Sequence, residues 1–93
     1  MYVGVMHRIK DPEAMMERGK GLSDPANAPP GVVGHQFCPS TDLSVATCVW
    51  EGDSVDAVRD HIDGTLGDSS ENSYFEISTE HAMGLPQQAA ARA

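Results

Sequence analysis

Leu43 to His61, LSVATCVWEGDSVDAVRDH, decides how the rest of the chain is read. Val45 to Trp50 has the β-branched and aromatic content of a strand, and Glu51 to Asp53 is a short acidic turn. Ser54 is a helix cap for an amphipathic stretch reaching about Asp63. In it Val55, Val58 and Ile62 make the apolar stripe, and Gly64 is the expected stop.

The amino terminus carries the same succession of strand, cap and helix. Tyr2 to Ile9 reads as a strand with Val3, Val5, His7 and Ile9 on one side and Tyr2, Gly4, Met6 and Arg8 on the other. Both sides are largely apolar, the pattern of a strand covered on two faces. Asp11 offers a capping oxygen, Pro12 suits the first helical position, and a helix to about Lys20 follows. Gly21 to Gly31, GLSDPANAPPG, cannot continue it and returns the chain to the sheet. Val32 to Cys38 is the expected second strand, with Val33, His35 and Phe37 on one face, joined to the third by a turn at Pro39 to Asp42. The polar segment Gly67 to Ser73 is expected to lead to a fourth strand at Tyr74 to Thr79.

The order is β-α-β-β-α-β, so the expected fold class is α+β. It is ferredoxin-like, a four-stranded antiparallel sheet with two helices on one face and the first and third strands central. The other face would present apolar side chains, and pairing two such sheets across a two-fold axis removes that surface from water, so a homodimer is expected. One domain spans residues 1–86, and Gln87 to Ala93 is expected to fray.

Fourteen acids against six bases leave a charge of −8, concentrated between Glu51 and Glu71, which disfavours nucleic acid and anionic membranes as partners. The amino terminus lacks the basic start and cleavage site of a secretory signal, and no run approaches the roughly 20 apolar residues of a membrane span. A cytoplasmic location is therefore expected, with Cys38 and Cys48 reduced and not spaced as a CxxC pair. Phosphate loops, HExxH and the nucleophile elbow are absent from the sequence, so a dinucleotide cofactor is not expected.

PPGV at Pro29 to Val32, ATCVWEG at Ala46 to Gly52 and SVDAVRDH at Ser54 to His61 resemble the dimeric α+β barrel superfamily. Within it, the likeness is to small bacterial proteins that include a nickel-binding ferredoxin-like protein. Gly31, Val32, Cys48, Glu51, Ser54, Ala57, Val58 and His61 match that group's pattern. Gly52 stands where the group has Ala, and the connection from Gly64 to Ser73 is longer. The resemblance implies a homodimeric barrel and a cavity between sheet and helices. The superfamily also includes cofactor-independent monooxygenases, cyclases and isomerases, many with a histidine four residues after an alanine on the second helix, as Ala57 and His61 are placed.

Two functional classes follow. The first is a protein binding a small ligand through Trp50, His7 and His35, or a divalent metal (nickel, zinc or copper) through His7, His35 and Cys48. Imidazole and thiol suit such ions, but His7 and His35 start about 10 Å apart on strands separated by the third. A third group, Cys48 or a residue of a second subunit, is needed. The second class is a cofactor-independent enzyme acting on a planar substrate, with His61 as general base and Tyr74 and Glu76 as further proton-transfer groups. Each residue also has a structural reading: the histidines as hydrogen-bonded core or boundary residues, Trp50 as core, Tyr74 and Glu76 as surface.

Overall fold

A computed structural model of the chain describes residues 1–85. The strands are β1 (Tyr2–Ile9), β2 (Val33–Pro39), β3 (Val45–Glu51) and β4 (Ser70–Glu76), and the helices are α1 (Pro12–Gly19) and α2 (Val55–Leu66). All neighbouring strands are antiparallel in the order β2-β3-β1-β4. This is the ferredoxin-like arrangement, with β1 and β3 central. No helix among the described residues is long and apolar enough to cross a membrane, and the segment from Gln87 lies outside the described residues.

The helices start where the sequence supplies caps. Asp11 Oδ1 accepts from the Ala14 N–H at 3.1 Å with Pro12 in the first turn, and Ser54 Oγ accepts from the Ala57 N–H at 3.0 Å. Each satisfies a backbone donor that has no partner inside the helix. The core lies between helices and sheet. Val3 and Val5 of β1, Cys48 and Trp50 of β3, Met15 of α1 and the stripe Val58, Ile62 and Leu66 of α2 are all buried in one cluster. Tyr2 and Leu85 are also buried but stand outside it.

Three local expectations need correction. Helix α2 does not stop at Gly64 but runs to Leu66, and Gly67, with φ of 57°, takes the left-handed turn that ends it. The burial of Leu66, one turn beyond Ile62, extends the apolar stripe and holds Gly64 inside the helix. Nothing lies within 4 Å of a Cβ built on Gly64. Gly64→Ala is therefore expected to raise stability by about 0.5–1 kcal/mol, read as a higher urea midpoint with an unchanged slope.

Strand β4 begins at Ser70 and ends at Glu76, earlier than expected. Pairing with β1 places Ser70, Asn72, Tyr74 and Glu76 opposite Ile9, His7, Val5 and Val3, so a polar segment forms an edge strand because β1 satisfies its backbone. Strand β2 carries an irregularity at His35: Gly34 pairs with Trp50, and Gln36 with Val49. The extra residue shifts the alternation, so Phe37 joins Cys48 on the helix side while Val33 pairs with Glu51 on the other. His35, Val33 and Phe37 therefore do not share one face.

Candidate functional site

Register brings His7 and Cys48 together. His7 pairs with Ala46 and Val5 with Cys48, so His7 and Cys48 are diagonal neighbours on the helix side of the two central strands. His7 Nε2 lies 2.9 Å from Cys48 Sγ, and His7 Nδ1 lies 2.6 Å from Oδ1 of Asn72, its directly opposed partner on β4. The Asn72 amide is oriented in turn: its Nδ2 donates to Asp63 Oδ1 at 2.9 Å, and Ser70 Oγ donates to its Oδ1 at 2.8 Å. With the amide nitrogen committed to a carboxylate, Oδ1 must accept from His7, so the imidazole proton sits on Nδ1 and Nε2 is the acceptor facing the thiol.

His7 is only 3% exposed, and burial holds its pKa below the usual histidine value against the opposing pull of Asn72 and Asp63. Burial pushes the Cys48 thiol up to about 12, which the Trp50 side chain offsets only in part. Desolvation therefore decides the pair's charge state. It is a neutral thiol donating to a neutral imidazole, not a thiolate with an imidazolium.

A cleft of about 490 Å³ opens beside this pair. The sheet contributes His7, Cys48, Trp50 and Phe37, α1 contributes Met15 and Met16, and the proline-rich connection closes a side with Leu22, Pro25 and Ala28. Apolar surface dominates, with Lys20 and Ser23 also on the lining. Such a cavity, with a few convergent polar groups, is the usual form of a small-molecule site.

The other anticipated residues do not join this pair. His35 borders the cleft at the irregular edge strand, but its Nε2 is 3.0 Å from Glu51 Oε1 and its ring lies 5.6 Å from that of Tyr2. Tyr2 pairs with Glu51 on the face away from the helices, so the His35 ring is engaged across the sheet from His7 and Cys48. His7, His35 and Cys48 are thus not brought together as a metal-binding set. Among the described residues no group of three His, Cys, Asp or Glu side chains could hold a metal ion.

His61 packs edge-on against Trp50 with ring centroids 5.6 Å apart. Its Nε2 is buried with no hydrogen-bond partner among the described residues, and burial lowers its pKa. It does not line the cleft. Tyr74 donates to Asp63 at 2.5 Å, and the Arg59 guanidinium lies 5.4 Å from its ring centroid. Burial, then Asp63, raises the Tyr74 pKa, so the phenol keeps its proton. Glu76 is exposed. His61, Tyr74 and Glu76 therefore belong to the α2 and β4 side, and Trp50 is the residue that touches both that side and the cleft.

Asn72 and Asp63 are the residues that sequence reasoning passed over, Asn72 because it fell in an expected loop. The available signal was the alternation Ser70, Asn72, Tyr74, which continues the face of Tyr74 back through the polar segment at strand spacing. Comparison with known proteins finds no family model that matches the chain and no curated protein that matches it.

Proposed function

We propose that the protein is a homodimeric α+β barrel that binds a small, largely apolar organic molecule in the cleft between α1 and the sheet. The observation that carries this reading is the apolar cavity of about 490 Å³ with one oriented polar pair, His7 and Cys48, on its sheet side. Trp50 and Phe37 supply flat walls, which favour a planar molecule.

Trp50, the only tryptophan, makes the site its own reporter. Titration with 1-anilinonaphthalene-8-sulfonate should show saturable energy transfer from Trp50 to the probe. Gly19 lines the cleft, ends α1 and has no atom within 4 Å of a built Cβ, so Gly19→Phe is a substitution the backbone site admits and one expected to narrow the cavity. That variant should weaken probe binding by about tenfold or more, equivalent to at least about 1.4 kcal/mol. Equal affinity in the two proteins would put the binding surface outside the cleft.

The dimer rests on the opposite sheet face. Met6 (58% exposed), Val45 (52%) and Phe75 (51%) stand there in water, and Arg8 and Glu71 supply both signs of charge beside them. A second copy of this chain covers such a face with an identical one about a two-fold axis. Sedimentation at micromolar concentration should give a dimer that Met6→Asp shifts toward monomer. A wild-type monomer would overturn this part of the reading.

The alternative, a cofactor-independent enzyme acting on a planar substrate, is favoured by one observation, that an imidazole acceptor lies on the cleft at His7. In that case His7, not His61, is the base within reach of substrate.

A further inference from the structure

We propose that Cys48 is a nucleophile with His7 as its proton acceptor, and that the cleft takes apolar α,β-unsaturated carbonyl compounds, which Cys48 captures by addition. This rests on the cleft being a ligand site and adds to it the chemical class of the ligand. Three independent features converge: Sγ lies 2.9 Å from His7 Nε2, His7 Nδ1 is tied to Asn72 at 2.6 Å, and both Cys48 and His7 line the apolar cavity. Nucleophile, base and orienting group in hydrogen-bonded succession are what activation of a thiol requires.

The step is balanced within the pair and the ligand. The Sγ–H proton passes to Nε2 as the sulfur bonds to the β-carbon of the ligand, and the π pair of the carbon–carbon bond shifts toward the carbonyl as an enolate. The imidazolium, whose Nδ1–H still donates to Asn72, then returns the proton to the α-carbon. Sulfur and hydrogen have added across one double bond, with no leaving group, no water and no change in oxidation state beyond the addition. An apolar cavity suits this chemistry because water is not a reactant. In the resting protein the pair is neutral, so the sulfur becomes nucleophilic only as its proton moves to His7.

Asn72 is a positioning residue. By holding the proton on Nδ1 it keeps Nε2 free to accept, and Asp63 fixes the amide that does so.

The probe is 4-phenylbut-3-en-2-one, followed by intact mass and peptide mapping, with iodoacetamide as a small polar contrast. Cys38 is exposed and Cys48 buried, so iodoacetamide should label Cys38 first while the enone adds to Cys48 at a rate that saturates with its concentration. In a Cys38→Ser background one adduct should form. Cys48→Ser should abolish it, and His7→Gln should slow it by about 10²–10⁴-fold, the usual contribution of a positioned base. Asn72→Ala should lower the limiting rate more than the half-saturating concentration and mix the His7 tautomers in ¹⁵N spectra. Gly19→Phe, which leaves the pair intact, supplies an independent arm should His7→Gln fail to fold, and should remove saturation. Enone addition confined to Cys38, or addition at Cys48 that is linear in concentration and indifferent to Gly19→Phe, overturns the proposal. Saturable dye binding without a Cys48 adduct overturns this inference and leaves the cleft as a binding site, whereas loss of both removes the cleft reading as well.

Discussion

Replacing Ile62 by alanine is expected to lower the unfolding free energy by about 3–4 kcal/mol, within the range for truncating a fully buried isoleucine. Ile62 is 0% exposed at the centre of the α2 stripe, flanked by Val58 and Leu66, also at 0%, and clustered with Val3 and Val5 of the central strand. The loss combines the transfer free energy of the deleted carbons with the cavity that a close-packed surround cannot fill. A domain of this size has about 5–15 kcal/mol in all, so the variant sits near the edge of folding. Urea denaturation followed by circular dichroism should show a much lower midpoint with the wild-type slope. A loss below about 1 kcal/mol would mean that α2 does not pack on the sheet as described.

Acid should destabilise the protein while the pH is still well above the ordinary carboxylate range. His7 has its pKa lowered by burial, so between the usual histidine value near 6.5 and the lower folded value the unfolded chain binds a proton that the native state does not. Stability from this group is complete above about pH 6.5 and is lost as pH falls below it, by up to about 1.4 kcal/mol per pH unit. His61 acts in the same direction through its own burial. Asp42, lowered first by its hydrogen bonds to Ser44, and Asp68, lowered first by its bond to Arg18, add acid sensitivity only below the carboxylate value of 3.8. Calorimetry from pH 7.5 to 5, with variants at His7 and His61 beside the wild type, therefore reads the contribution of these two buried imidazoles. Tm should fall across that interval in the wild type and fall less in His7→Gln. An unchanged profile in His7→Gln and in His61→Gln would remove burial of neutral histidine as the cause.

Much of the architecture was legible because it is written in local chemistry. Asp11 with Pro12, and Ser54 before Val55, mark helix starts that the caps realise, and the two-sided apolar character of β1 correctly makes it central. What escaped was set by tertiary pairing. A run as polar as Ser70 to Ser73 becomes a strand only because β1 offers it backbone partners, and Gly64 stays helical only because Leu66 is buried beyond it. The candidate site was legible as residues but not as a constellation. His7, Cys48 and Trp50 line one cleft, yet their partner Asn72 depended on the β1 to β4 register. One extra residue at position 35, invisible to a period of two, leaves His35 on the cleft border with its ring engaged by Glu51 and Tyr2, not by His7 and Cys48.

That extra residue also governs how this chain can go wrong. β2 is an outer strand whose unpaired amides and carbonyls could template fibril-like growth from molecule to molecule, and long flat borders of this kind are aggregation hazards. The kink at His35 bends that border, and Pro39 withholds an amide at its end. Both features disfavour strand-by-strand polymerisation along one margin of the sheet, and straightening the border by deleting His35 should shorten the time before the protein forms thioflavin-positive aggregates on the bench.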